Sequence, residues 1–134
     1  MTVIDTSALM AVLLEEPAAD AVSRALADAE SLSISASTVA EALIVARRRG
    51  VGRQMEDLLD GLGAEVIPVS RAFAANVADA YDRWGKGVHP AGLNFGDCFA
   101  YALAAVHAEP LLYVGEDFAR TDVLSALAKP QERR

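Results

Sequence analysis

Asp5, Glu41, Asp97 and Asp117 are carboxylates from four distant parts of the chain, each standing where the sequence pattern ends a strand or opens a helix. Ionised carboxylates that meet in one cleft repel each other, and a bound cation relieves that repulsion. All-oxygen ligation suits Mg²⁺ or Mn²⁺, and no histidine accompanies these acids, which argues against zinc. A cation held this way stabilises charge growing on an attacked phosphate and acidifies water, the chemistry of phosphoryl hydrolysis. Each acid also has a plainer role. Asp5 could cap a helix starting at Ser7, and Asp117 a turn beginning at Phe118, because carboxylates are favoured at helix starts by capping and by the dipole. Thr38-Val39-Ala40-Glu41 has the spacing of a capping box, with Glu41 reaching back to the Thr38 amide. Taken singly, a cap explains each acid as well as a ligand does; taken jointly, the four favour a shared site.

The elements that must bring the acids together follow from hydrophobic period and punctuation. Val3-Ile4 reads as a short strand, and a helix then runs to the stop at Glu15-Glu16-Pro17. A second helix is expected from Pro17 to about Ala29, with proline in its first turn. Leu32-Ser33-Ile34-Ser35 alternates as a strand, and Ser37-Thr38 opens a helix that closes at Arg47-Arg48-Arg49-Gly50, which puts Glu41 in its first turn. Further helices are expected from Arg53 to Leu62 and from Ser70 to Trp84, with a strand over residues 64–69 between them. Gly85 to Leu93, with three glycines, Pro90 and His89, reads as the longest irregular connection. An Ala-rich helix from Phe95 to Ala108 carries Asp97 in its first turn, and Leu111-Leu112-Tyr113-Val114 is the last strong strand. Short apolar strands alternating with helices imply a mainly parallel sheet covered on both faces, whose functional groups gather at the carboxyl ends of the strands.

Composition agrees with one globular domain. The chain has 134 residues, slightly more than half of them apolar, enough to bury one core. The domain is expected over residues 1–128, with a frayed tail over 129–134. The single cysteine, Cys98, allows no disulfide framework and lies in an apolar stretch, where it reads as a small buried hydrophobe. No secretory signal and no run of about 20 apolar residues is visible, so a cytoplasmic protein without a membrane segment is expected. The net charge of −7 is unfavourable for phosphate binding. Arg47, Arg48, Arg49 and Arg53 cluster, with Arg83 and Lys86 near the glycine-rich loop, and either offer RNA a route or form a solvated helix end. His89 reads as a substrate-touching or a simple turn residue, and His107 as structural.

Four stretches are shared with a known family: Val3-Ile4-Asp5-Thr6-Ser7-Ala8-Leu9, Ser37-Thr38-Val39-Ala40-Glu41-Ala42-Leu43, Asn94-Phe95-Gly96-Asp97-Cys98-Phe99-Ala100-Tyr101-Ala102-Leu103-Ala104, and the run from Tyr113 to Asp122. In their order and spacing the chain resembles the VapC-type PIN-domain toxins over nearly its whole length. The resemblance implies an α/β fold of the PIN type, three layers with a central parallel sheet of four or five strands. It implies a Mg²⁺- or Mn²⁺-dependent endoribonuclease, the toxin of a toxin–antitoxin pair, leaving a 5′-phosphate and a 3′-hydroxyl. Asp5 and Asp97 would bind the metal, Glu41 would help hold it or its waters, and Asp117 would complete the quartet. Thr6, Ser7 and Thr121 fall where hydroxyls hydrogen-bond the acids or a water. A small VapB-type antitoxin, wrapping the toxin, and a homodimer are implied as well. Leu9, Met10, Leu13 and Leu14 could line the antitoxin groove, although such a stripe is more often core. Glu116 and Val114 depart from the family pattern, and Glu116 leaves open which of Glu116 and Asp117 faces the metal.

Rival readings fit less well. A phosphoacceptor domain wants adjacent acids after the first strand and a lysine after a late one, and neither is present. A haloacid-type phosphatase wants a second aspartate where Ser7 stands. A catalytically silent PIN-fold binding module would lack an acid, and none is missing.

Overall fold

The computed structural model describes residues 1–127, so the expected tail over 129–134 and the last residue of the expected domain lie outside the described residues. Strand β1 (Thr2–Ile4) leads into helices α1 (Thr6–Leu13) and α2 (Ala19–Asp28). Strand β2 (Leu32–Ser35) leads into α3 (Ala36–Arg48) and α4 (Gly52–Leu62), and β3 (Glu65–Ile67) into α5 (Arg71–Trp84). Helix α6 (Phe95–His107) precedes β4 (Leu111–Leu112), and a single 3-10 turn follows at Phe118–Arg120. The strands pair in the order β3-β2-β1-β4, all parallel. Backbone bonds from the Leu111 amide to Leu124 O (2.8 Å) and from the Ala126 amide to Leu111 O (2.9 Å) lay one more extended segment along the outer edge of β4.

Alternation within the strands divides the interior into two cores. Val3 and Leu111 pack under α5 and α6, among Phe73, Trp84, Phe99 and Leu103. Their neighbours Ile4 and Leu112 face the other way, into a core with Ile34 and residues of α1 to α4. A sheet apolar on both faces needs helices on both, which gives the expected three layers. Leu9 and Met10 are buried in the second core, whereas Leu13 and Leu14 are only half-buried at its margin.

Several boundaries differ from expectation for local reasons. Glu15 turns left-handed (φ 53°) after α1, and the Ala19 amide bonds Glu16 O, so Pro17 sits in the turn and not in the first turn of α2. Helix α3 starts at Ala36, directly after β2, because Ser35 itself is the cap and accepts from the Ser37 amide. That moves Glu41 into the second turn. The expected Thr38–Glu41 capping box is absent, and the Thr38 hydroxyl is buried with no partner. The Gly85–Leu93 connection is closed rather than irregular: the Leu93 amide bonds Trp84 O and the Lys86 amide bonds Leu93 O. His89 packs edge-on against Trp84 and accepts from the Ala91 amide, which makes it a turn residue. His107 is exposed in the last turn of α6, not part of the core.

Candidate functional site

Asp5 follows β1 at the carboxyl edge of the sheet. Its amide continues the ladder by donating to Leu112 O (3.0 Å), which fixes the backbone between β1 and β4. Its side chain caps α1: Oδ2 accepts from the Ser7 amide (3.0 Å) and from the Ser7 hydroxyl (2.6 Å). Both readings of Asp5 therefore survive in one residue, because Oδ1 takes no part in the cap. It is buried and has no hydrogen-bond partner. An unpaired buried carboxylate oxygen is costly. Burial pushes the Asp5 carboxyl up to about 6 against the opposing pull of Ser7, and the charges of Asp97 and Glu41 push the same way.

Thr6 and Ser7 act on different acids. The Thr6 hydroxyl donates to Glu41 Oε1 (2.7 Å), drawing the α3 carboxylate toward the start of α1. The Ser7 hydroxyl, while donating to Asp5, accepts from the Val114 amide (3.0 Å) and so joins the first acid to the segment that carries the fourth. The other side of Glu41 meets α6: a β-carbon at Gly96 would overlap the Glu41 carboxylate. A larger residue in the first turn of α6 would therefore oblige the Glu41 carboxylate to move, although the backbone angles there do not call for glycine.

Asp97 is half-buried in that same turn and belongs to a true capping box. Asn94 Oδ1 accepts from the Asp97 amide (2.8 Å), and Asp97 Oδ2 accepts from the Asn94 amide (3.0 Å). Burial raises the Asp97 carboxyl above its ordinary range, and Glu41 and Asp117 add to the rise. The charges of Asp97 and Glu41 thus act on Asp5, and those of Glu41 and Asp117 on Asp97. Asp117 is exposed at the start of the 3-10 turn, and its charge is among those that raise Asp97. Thr121 is the exception among the expected hydroxyls: it donates to Phe118 O (2.7 Å) and accepts from the Val123 amide, closing its own turn rather than reaching an acid. Cys98 is buried, and that burial, with Asp97 beside it, pushes the thiol up to about 11, the opposite of an activated nucleophile.

The donor set fits a hard divalent cation. Among the described residues no three acid, histidine or cysteine side chains form a ready-made cage. Mg²⁺ does not need one, since it keeps several waters and takes one or two carboxylates directly. Asp5, with its unpartnered Oδ1, and Asp97, whose charge acts on Asp5, are the two carboxylates that could meet that requirement. The hollow between α5 and α6, lined by Arg83, Trp84, Tyr101 and Val106, holds none of the four acids.

Asn94, Gly96 and the Ser7–Val114 link were not singled out from sequence. Asn94-x-x-Asp97 does carry the capping spacing, so that signal was present; the steric role of Gly96 has no local signature. The expected cation route is only partly near. Arg48 lies two turns beyond Glu41, about 10 Å along the same helix face. Arg47 and Arg53 border a polar hollow with Glu56, Asp57 and Asp60. Arg83 is engaged by Asp122 (3.6 Å) and stacks over Trp84 (4.6 Å).

The PIN domain family model matches residues 2–124. A ribonuclease VapC of Mycolicibacterium smegmatis is 44% identical over 124 residues, covering 90% of this chain and 96% of the relative. Ribonuclease VapC36 of Mycobacterium tuberculosis is 46% identical over 125 residues, covering 90% of each. Among solved structures, Mycobacterium tuberculosis VapC20, described as a toxin that cleaves the sarcin-ricin loop, superposes with a TM-score of 0.78 at 13% identity, over 96% of this chain and 100% of that one. A toxin–antitoxin complex from Klebsiella pneumoniae gives a TM-score of 0.69 at 20% identity with the same coverage.

Proposed function

The chain belongs to the PIN-domain family, among its VapC ribonucleases, and we propose that it is a divalent-metal-dependent endoribonuclease and the toxin of a toxin–antitoxin pair, with its site at Asp5, Glu41, Asp97 and Asp117. The observation that carries this reading is the buried Asp5 carboxylate, one oxygen anchored and one free, flanked by two further acids. A structural cap has no use for that flanking charge.

Asp5 and Asp97 would hold Mg²⁺ or Mn²⁺, with Glu41 and Asp117 completing its surroundings. Bound there, the cation would neutralise the acids, stabilise charge on the attacked phosphate and favour ionisation of a water. The rest falls to the chain. Ser7 holds Asp5 Oδ2 so that Oδ1 stays available, and Thr6 holds Glu41 between α1 and α6. Asn94 fixes Asp97 through both halves of the capping box. These supports pre-organise carboxylates whose mutual repulsion would otherwise scatter them. The products would be a 5′-phosphate and a 3′-hydroxyl.

The net charge of −7 suits a basic protein partner as well as it resists bare RNA. A small VapB-type antitoxin that covers the acid edge fits that charge, and a toxin–antitoxin complex among the fold neighbours supports it. A homodimer acting in the cytoplasm completes the reading; no described helix is long and apolar enough to cross a membrane. The test is end-mapping of RNA from cells after brief expression of the parent and of Asp97→Asn. New 5′-phosphate ends are expected with the parent alone, and ends in equal number with both would reject the site.

A further inference from the structure

Phe95 is the most exposed of the large apolar side chains, at 71%. A lone exposed apolar residue is ordinary and proves nothing. What sets this ring apart is its bracing. It stands edge-to-face with Phe99, centroids 4.9 Å apart at 78°, and Phe99 is buried against Phe73 at 6.4 Å. Its backbone is the first residue of α6, held by the Asn94 cap on one side and followed by Gly96, on which Glu41 rests, and by Asp97. The ring is thus braced on one side by Phe99 and exposed on the other, at the N-terminal end of α6 two residues before Asp97.

Electrostatics sharpen the point. A nuclease that gathers four carboxylates in a chain of net charge −7 gains little from phosphate contacts, which ordinarily dominate nucleic-acid affinity. Stacking of a base on an aromatic face carries no such penalty and is indifferent to the sign of the surface. Resting on the nuclease reading above, we propose that Phe95 is the platform on which a nucleobase of single-stranded RNA stacks, close to the phosphate held at the acids. A rigid ring loses little entropy on receiving a base, and aromatic stacking tolerates any base, so Phe95 contributes affinity and placement more than sequence choice. Phe95 touches substrate without taking part in proton or phosphoryl transfer.

The test has a cleavage arm and a binding arm. On an RNA with one mapped cut, Phe95→Ala and Phe95→Leu should each lose about 5- to 100-fold in kcat/KM, mainly through KM, while Phe95→Tyr stays near the parent. Removing the base beside the cut, by an abasic ribose, should cost the parent the same factor and cost Phe95→Ala nothing more. Mn²⁺ affinity and elution volume should not change. In the binding arm, Phe95→Trp places a fluorophore at the ring, and a short oligoadenylate in Ca²⁺ should quench it, measured against the Trp84 signal of the parent. An inactive parent, with the Phe95→Trp fluorescence still quenched, would sink the nuclease reading and leave the platform standing. An active parent with no quench in Phe95→Trp, a fully active Phe95→Leu, additive abasic and alanine losses, or a changed elution volume that makes the ring a contact between copies, would each overturn the platform.

Discussion

Ser7 holds one oxygen of Asp5 while nothing holds the other, and that asymmetry has a measurable cost. Desolvation shifts the carboxyl from an ordinary 3.8 to about 6. Between about pH 4 and 6 the folded chain therefore keeps a proton that the unfolded chain has released, and metal-free stability falls as pH rises through that window. The loss amounts to about 3 kcal/mol by pH 7. Asp5→Asn keeps an acceptor for Ser7 and removes the charge, so it should abolish cleavage, raise metal-free stability at pH 7 by about 1–2 kcal/mol, and flatten the decline across pH 4 to 6 in denaturant unfolding. An unchanged pH profile would show that the Asp5 proton is not linked to folding. Gly96 offers a complementary case. Alanine is a better helix former than glycine, yet its β-carbon would displace the Glu41 carboxylate. Gly96→Ala should fold at least as stably within about 1 kcal/mol but lose at least about tenfold in Mn²⁺ affinity, and Glu41→Asp in the same chain, one methylene shorter, should restore part of it. Calorimetric titration of the two variants checks both statements.

At the scale of elements, the sequence showed strand and helix order well and their edges less well, and capping explains the difference. Thr38-x-x-Glu41 and Asn94-x-x-Asp97 have the same local spacing, but β2 already ends in a serine able to cap, so α3 starts early and Thr38 is left without a bond. Asn94 has no rival before it and forms the box. Thr38→Val should then be neutral or stabilising by up to about 1 kcal/mol, whereas Asn94→Ala should cost about 1 kcal/mol and lower cleavage by loosening Asp97. Thermal unfolding of the pair distinguishes this from a Thr38 cap, which would make the Thr38 variant the costlier one. Pro17 and Thr121 misled for a related reason: each suits its residue type locally, and a neighbouring turn decided its place instead. The places of Asp5 after β1 and Asp97 in the first turn of α6 were legible because strand ends and helix starts are marked in sequence, whereas Glu41 falls a turn deeper in α3 than its spacing suggested. The contacts between them, Thr6 to Glu41, Ser7 to Val114 and Glu41 to Gly96, join elements far apart in the chain and leave no local trace.

In the molecule as a whole, two cores on opposite faces of one parallel sheet leave the carboxyl edge as the place where α1, α3, α6 and the segment after β4 meet. The start of α1, at Asp5, and the start of α6, at Asp97, turn their positive dipole ends toward that edge, which partly offsets the crowding of negative charge. The Trp84–Tyr101–Asp122 chain of hydrogen bonds ties the segment beyond Asp117 back to α5 and α6, so the most exposed acid of the four also rests on a fixed support. What remains unbalanced is charge, and a cation at the acids should act on the stability of the whole fold. The most direct measurement is thermal unfolding under Mn²⁺ titration, parent beside Asp5→Asn at constant ionic strength. The parent should gain about 3 kcal/mol at a hundredfold excess over its dissociation constant, and the variant, already relieved of the buried charge, should gain little. Equal gains in the two proteins would place the cation elsewhere and contradict the account.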